Sequence, residues 1–279
     1  MLSALFGLLS ATSWGAGDFF GGLASRRSSA ARATFYGEVF GLVMLLAVAP
    51  FFGGLGMPWT DWAWSLVAGA TGAFGLSILY RALVEGQMSV AAPVSALLAA
   101  VLPVTLAALT EGLPGPLVLA GFALALIAIW LISQSEGAST RFHMRLADLR
   151  LPLLSGVCFG AYFILIHQGS RHAVLAPMIA ARCAGSLTLL VLNLARRELS
   201  WPDRLLWPLI LTNALGDIGG NAFYILAGQV GRMDVAAVLG SLYPGMTVIL
   251  AWIFLHEKIS RPQFLGILAA LAATAMIAL

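Results

Sequence analysis

Residues 86–92 read Gly-Gln-Met-Ser-Val-Ala-Ala, and residues 231–237 read Gly-Arg-Met-Asp-Val-Ala-Ala. The same spacing of 145 residues relates Gly15 to Gly160 near one end of the chain and Gly121 to Gly266 near the other. One offset therefore holds along the chain without a gap. This indicates a duplicated unit rather than a chance likeness between apolar segments.

The composition indicates that lipid surrounds most of the duplicated unit. Hydrophobic residues make up 60% of the 279 residues and charged residues only 10%, whereas a soluble domain has about 25% charged residues. The formal charge of +3 is no indication of nucleic-acid binding, because basic residues in the loops of a membrane protein follow from its topology.

Ten segments have the roughly 20 apolar residues that a transmembrane helix needs. They cover approximately 2–24, 33–52, 61–84, 88–109, 114–134, 151–169, 174–195, 204–227, 233–255 and 262–279. Each repeat holds five of them, and because five is odd, the second repeat enters the membrane inverted. We therefore predict an all-α integral membrane fold of ten transmembrane helices, arranged as two five-helix inverted-topology repeats. Residues 1–134 form the first repeat, 135–150 a polar linker and 151–279 the second repeat.

The basic residues predict the orientation of these helices. The loops between segments 1 and 2, 5 and 6, 7 and 8, and 9 and 10 carry eleven of them, and the opposite loops carry only Arg171 and Arg232. Since basic loops stay in the cytoplasm, both termini are expected outside.

Four of the ionisable residues inside the predicted spans stand out: Asp18, Glu38, Arg182 and Asp217. Such groups are costly in a bilayer and usually face the protein interior with a function. Asp18 either pairs with a loop arginine or lies on a cavity wall. A one-residue shift of the repeat alignment places Glu38 opposite Arg182, either as a permanent ion pair or as one that parts during function.

Segment eight carries a polar stripe at helical spacing, formed by Asn213, Gly216, Asp217, Gly220, Asn221, Tyr224 and Gly228. Small and polar residues of this kind either pack helices together or line a wet cavity. Two asparagines, an aspartate and a tyrosine favour the cavity.

Segment nine is expected to be a broken helix, because glycines and Pro244 surround Ser241 and Tyr243. Segment four, its mate in the first repeat, carries Pro93 and Pro103 and is expected to kink or unwind as well. Six aromatic residues are candidates for a cavity wall: Trp14, Tyr80, Phe159, Tyr162, Tyr224 and Tyr243.

No motif for an enzyme or a cofactor is present. The only lysine, Lys258, follows no glycine-rich loop, so there is no Walker A motif and no visible means of ATP hydrolysis. No His, Cys and Asp cluster has metal-ligand spacing, and no Gly-x-Ser-x-Gly elbow occurs.

Four stretches carry a recognisable pattern: Trp14-Gly15-x-x-Asp18-Phe19, Tyr80-Arg81-Ala82-Leu83, Ser241-Leu242-Tyr243-Pro244 and His256-Glu257-Lys258. With them the chain resembles the ten-helix EamA-type branch of the drug/metabolite transporter superfamily over essentially its whole length. The resemblance implies two inverted repeats around a central cavity, transport without ATP hydrolysis, and termini in the cytoplasm, contrary to the charge count.

We predict a secondary transporter, an exporter of small organic metabolites such as amino acids or amphipathic drugs, which works by alternating access in the inner (plasma) membrane. Asn213, Asp217, Asn221 and Tyr224 are expected to bind polar groups of the substrate. Trp14 and Tyr243 would offer aromatic surface, and Ser241 and Pro244 a hinge. Asp18 or Glu38 would take a coupling proton, and Arg182 would meet a substrate carboxylate or Glu38. The alternatives are a lipid-carrier flippase of the same fold and a membrane scaffold, which the intramembrane charges disfavour.

Overall fold

The computed structural model describes residues 1–52, 55–85, 88–134 and 149–279. Within these ranges the regular structure is helical and no strand occurs, so the predicted all-helical class is confirmed. The helices are α1 Leu2–Arg27, α2 Ala30–Val48, α3 Trp59–Glu85, α4 Met88–Thr110, α5 Pro116–Ile132, α6 Arg150–Gly169, α7 Leu175–Arg196, α8 Trp207–Gln229, α9 Met233–Gly240, α10 Tyr243–Leu255 and α11 Arg261–Ala278.

Each predicted segment coincides with a helix, and the ninth is divided between α9 and α10. Six stretches of the described chain are long and apolar enough to cross a membrane: Ala31–Phe51, Trp59–Leu79, Arg150–Gly169, Leu175–Arg196, Met233–Leu255 and Arg261–Ala278. The chain is therefore a multi-pass membrane protein, while the count of ten spans stays a prediction. The predicted linker lies almost wholly outside the described residues.

Proline and capping side chains start several of these helices. Pro116, Pro208, Pro244 and Pro262 occupy the first turn of α5, α8, α10 and α11, where the missing N–H costs no intrahelical bond. In α11 a capping box adds to this: the Ser260 N–H donates to Gln263 Oε1 at 2.9 Å, and the Gln263 N–H donates to Ser260 Oγ at 3.3 Å.

Proline alone does not break a helix in this chain. α4 continues through Pro103, so of the predicted kink or unwinding of segment four the unwinding is absent there and the kink stays a prediction. The mate of α4 stops at Gly240 and resumes at Tyr243. Pro103 lies between two bulky aliphatic residues, but Gly240 and Gly245 flank the break in the second half. Glycine adds backbone freedom that the first half lacks at this place.

Helices of the first half pack against helices of the second. α1 packs on α8, α9 and α10, α3 packs on α6 and α7, α4 packs on α6, and α5 packs on α11. Under the 145-residue offset, α1 corresponds to α6 and α3 to α8. The α1–α8 and α3–α6 contacts are therefore the same contact with the roles of the halves exchanged.

Two glycine contacts bring backbones together around the centre of the molecule. A Cβ on Gly216 of α8 would lie 2.6 Å from the Cα of Gly17 on α1, and a Cβ on Gly69 of α3 would lie 1.9 Å from the carbonyl oxygen of Ala181 on α7. No side chain fits in either place. These contacts fix α8 beside α1 and α7 beside α3. Three of these four helices carry an intramembrane charge: α1, α7 and α8.

Candidate functional site

A cavity of about 200 Å³ lies between the two halves. Its wall is formed by α1, α2, α3, α6, α7 and α8, with single residues from α4 and α10. The charged and amide side chains along it are Asp18, Glu38, Arg182, Asn213, Asp217 and Asn221. The aromatic side chains along it are Trp14, Phe159, Tyr162, Phe163 and Tyr243. Tyr80, another aromatic candidate, has its side chain outside the described part of the chain.

Arg182 is the centre of the polar wall. Arg182 is 5% exposed. Its Nη1 atom lies 3.1 Å from Glu38 Oε2, and its Nη2 atom donates to Asp217 Oδ2. The contact between Glu38 and Arg182, expected from the shifted repeat alignment, is therefore present. Asp217 adds a second carboxylate from α8 that the alignment does not predict.

Two glycines leave space for the ion cluster of Arg182, Glu38 and Asp217. A Cβ on Gly41 of α2 would lie 2.9 Å from Nη1 of Arg182, and a Cβ on Gly185 of α7 would lie 3.4 Å from Oε2 of Glu38. Gly41 and Gly185 are the two glycines that the shifted alignment superposes. Gly41 on α2 faces Arg182 of α7, and Gly185 on α7 faces Glu38 of α2. The contact between the two helices is therefore reciprocal.

Asp18 lies on the cavity wall, on the same helix as Trp14 and one turn beyond it. Its side chain makes no hydrogen bond or ion pair with any other residue that the structure describes. The alternative, a pair with a loop arginine, involves Arg26, whose side chain lies outside the described residues.

The polar stripe of α8 serves both purposes that the sequence left open. Asn213, Asp217 and Asn221 line the cavity, whereas Gly216 and Gly220 face the backbone of α1 and the Trp14 ring. The amide groups are also tied to their surroundings. Asn213 Nδ2 donates to the Gly17 carbonyl at 2.9 Å, Asn221 Nδ2 donates to the Asp217 carbonyl at 2.7 Å, and the Tyr162 hydroxyl donates to Asn221 Oδ1.

Tyr224 differs from its predicted place on the cavity wall. It is 1% exposed, is absent from the residues that line the cavity, and donates its hydroxyl to the Phe163 carbonyl at 3.1 Å. Its ring stacks on Phe163 with 4.7 Å between centroids and lies 5.8 Å from that of Trp14. Tyr224 thus supports the aromatic wall from behind.

The break between α9 and α10 reaches the cavity through Tyr243. A Cβ on Gly15 would lie 2.4 Å from the Tyr243 carbonyl oxygen, and Thr247 Oγ1 donates to the Gly15 carbonyl at 3.0 Å. Ser241 is fully buried at the break, and its hydroxyl has no hydrogen-bond partner among the described residues. Pro244 follows in the first turn of α10.

A polar clamp joins two connections that lie away from the arginine-rich loops. Arg232 Nε donates to both carboxylate oxygens of Asp234 at 3.1 Å, and Nη2 donates to the Gly112 carbonyl at 2.8 Å. These hydrogen bonds to Asp234 raise the pKa of Arg232. The clamp ties the α8–α9 connection to the α4–α5 connection. Sequence reasoning used Arg232 only as a topology charge and missed this contact.

Sequence reasoning also missed the contribution of α3. Gly69 and Gly72 line the cavity together with Leu76 and Leu79, and Gly72 faces the Tyr162 ring. The signal was present in the spacing of these glycines by three residues, which puts them on one helix face, since small residues on a face let a neighbouring helix approach closely. Within the described residues, no group of three or more His, Cys, Asp or Glu could hold a metal ion.

Comparisons with known proteins agree with the fold. The sequence model of the EamA-like transporter family matches residues 1–134 and 149–279. One solved structure, described only as the crystal structure of a protein, superposes with a TM-score of 0.81 at 16% identity, over 98% of this chain and 95% of the other. At that identity the likeness shows the fold alone. No curated protein matches the chain.

Proposed function

The chain belongs to the EamA-like transporter family of the drug/metabolite transporter superfamily, and on that premise we propose that it exports small organic metabolites across the inner (plasma) membrane by alternating access. The observation that carries this proposal is the cavity between the halves, where Asp18, Glu38, Arg182 and Asp217 meet an aromatic wall. A charge at the bilayer centre costs about 2.5–3.5 kcal/mol on insertion scales. Because of this cost, four such groups around one cavity indicate that the charges have a function.

The size of the cavity supports a metabolite as the substrate. Pockets for drug-sized ligands measure about 300–1,000 Å³, and this cavity measures about 200 Å³. A solute of amino-acid size fits such a space better than a lipid carrier does. The size therefore favours a metabolite exporter over the flippase alternative.

The exchanged contacts between the halves support an inverted repeat. The α1–α8 contact has its counterpart in the α3–α6 contact, as a two-fold relation in the membrane plane requires. In alternating access one half rocks against the other. The ion cluster joins α2 of the first half to α7 and α8 of the second, so this motion would part Glu38 from Arg182.

The distribution of polar contacts supports a direction for access. Asp18 and Asn213 line the cavity from the halves of α1 and α8 nearer the arginine-rich loops, and Glu38 lies near the middle of α2. The Arg232 clamp joins connections at the opposite helix ends. With arginine-rich loops in the cytoplasm, the cavity would load from that side and the clamp would open for release.

A coupling proton would be taken by Asp18 or Glu38. Both carboxylates line the cavity, and the motion that separates Glu38 from Arg182 would change the charge around Glu38. An opposite charge nearby favours the ionised carboxylate, so parting the pair would favour protonation. Transport would then depend on the proton gradient and need no nucleotide.

The proposal is tested with purified protein in liposomes. A metabolite collection is screened for thermal stabilisation of the protein, and the hits are tested for flux without nucleotide. We expect at least one small solute to stabilise the protein and to exchange across the membrane. An imposed pH gradient should drive its net flux. Stabilisation of the wild-type protein without flux of any hit would reject transport.

A further inference from the structure

The guanidinium of Arg182 is already committed within the cavity. Both of its terminal nitrogens are engaged, Nη1 with Glu38 and Nη2 with Asp217, and the side chain is 6% exposed. A substrate carboxylate at Arg182 would have to displace one of these partners. Displacement would leave a partly buried carboxylate uncompensated, which is costly. Arg182 is therefore poorly placed to select an anionic solute.

The described cavity wall carries more acidic than basic side chains. Three carboxylates, those of Asp18, Glu38 and Asp217, face one guanidinium among the described lining residues. Arg182 compensates Glu38 and Asp217, and the carboxylate of Asp18 has no ion pair with a described residue. Asp217 lines the cavity and keeps 35% of its side chain accessible. A cation that enters this space meets the carboxylate of Asp18, which has no ion pair among the described residues, and the partly accessible carboxylate of Asp217.

An aromatic surface lies next to Asp18. Trp14 and Asp18 are four residues apart on α1 and both line the cavity, so they are neighbours on one helix face. The rings of Phe159, Tyr162 and Tyr243 continue the wall. Aromatic faces attract cations and also pack against apolar groups. The same wall thus suits both parts of a molecule with an ammonium head and an apolar body.

We propose that the cavity selects small amphipathic amines, with Asp18 accepting the hydrogen bonds of the ammonium group and the aromatic wall holding the apolar body. This inference rests on the proposed function and narrows its substrate class. The cavity of about 200 Å³ limits the body to about one ring or a short chain. Arg182 then acts as a positioning residue that holds Glu38 and Asp217 in place.

Three probes that share one phenethyl body separate charge from size. They are phenethylammonium, the neutral alcohol 2-phenylethanol and the phenylpropanoate anion, and their binding to the purified full chain is measured by titration calorimetry at neutral pH. Since hydrogen bonds to charged groups contribute more than neutral ones, we expect phenethylammonium to bind about tenfold or more tightly than either other probe.

Variants of Asp18 test the assigned contact. Asp18→Asn removes a charge without leaving a described partner unpaired, so the fold should persist, and phenethylammonium affinity should fall about tenfold. Asp18→Glu should restore part of it. The matched control is Asp203→Asn, an exposed carboxylate between α7 and α8, which should bind as the parent does.

Several results would overturn the amine assignment: equal or tighter binding of phenylpropanoate, no binding of phenethylammonium, or unchanged binding in Asp18→Asn. A failure of the amine assignment can be distinguished from a failure of the transporter proposal. Flux of a neutral or anionic metabolite would keep the transporter and reject the amine. Amine binding without flux of any solute would keep the site and reject transport.

Discussion

Arg182 joins three helices through one side chain, because its guanidinium bonds Glu38 of α2 and Asp217 of α8 from its own place on α7. A guanidinium presents its donors in a fixed planar fork, so one arginine can hold two carboxylates at set positions. The ion cluster is therefore a structural centre as well as part of the cavity wall.

Replacing Arg182 should destabilise the protein. In Arg182→Leu, Glu38 and Asp217 lose their counter-charge, which costs about 3 kcal/mol when one partner of a buried pair is removed. Thermal unfolding of the purified protein in detergent measures the loss. The matched control is Arg171→Leu, which removes an exposed loop arginine and should unfold near the parent temperature. Equal unfolding temperatures for the two variants would contradict the account.

The two tyrosines near the cavity should separate stability from transport. Tyr224→Phe removes the hydroxyl bonded to Phe163 and should cost about 1 kcal/mol of stability with transport nearly unchanged. Tyr162→Phe frees Asn221 on the cavity wall and should impair transport more than stability. Liposome flux and thermal unfolding of both variants check this. A larger transport defect in Tyr224→Phe than in Tyr162→Phe would mean that Tyr224 contacts the solute.

The sequence predicted part of this site and missed part of it for a geometric reason. Repeat symmetry alone places Glu38 opposite Arg182. It cannot show which residue of the α8 stripe reaches the same guanidinium, because the rotation of α8 depends on the contact of Gly216 with α1. Tyr224 belongs to the same stripe, but it lies seven residues beyond Asp217, about 10 Å further along the helix.

At the level of elements, glycine decides how closely helices approach. Gly216→Ala would place a Cβ 2.6 Å from the Gly17 backbone, so α1 and α8 would have to separate. The matched control is Gly22→Ala on α1, where a Cβ meets nothing within 4 Å and the change should be neutral or stabilise by up to about 1 kcal/mol.

Thermal unfolding of the two alanine variants gives the comparison. We expect the unfolding temperature of Gly216→Ala to fall clearly below that of the parent and of Gly22→Ala. The separation of α1 and α8 in Gly216→Ala would also part Asn213 from the Gly17 carbonyl, so flux should be impaired as well. Indistinguishable unfolding temperatures would mean that α1 and α8 can separate to admit the methyl group without loss of stability, which contradicts the account.

The elements themselves were the most predictable part of the molecule. Long apolar runs with proline at their starts gave helices whose ends agree with the prediction to within a few residues, as at α6 and α11. In α4 the helix continues through Pro103 without unwinding. Proline marks where a helix can be interrupted, but packing and the neighbouring residues decide whether it is.

At the scale of the whole molecule, the inverted repeat predicts that repeat-related positions lie on opposite sides of the membrane. Arg27, the last residue of α1, and His172, in the connection between α6 and α7, are 145 residues apart and both are exposed. In a background without Cys158 and Cys183, an impermeant maleimide should label His172→Cys in intact cells and Arg27→Cys only after lysis. Labelling of both on one side would contradict the inversion, and the reversed pattern would place the termini inside.

The central claim is that the cavity at Asp217 is the path of the solute. The most direct measurement is counterflow, without nucleotide, of a solute identified in the liposome screen, in the parent, in Asp217→Asn and in Glu198→Gln, a control carboxylate exposed beyond α7. We predict that Asp217→Asn lowers the counterflow rate about tenfold or more in correctly inserted protein, while Glu198→Gln matches the parent. Parent-like counterflow in Asp217→Asn would contradict the claim.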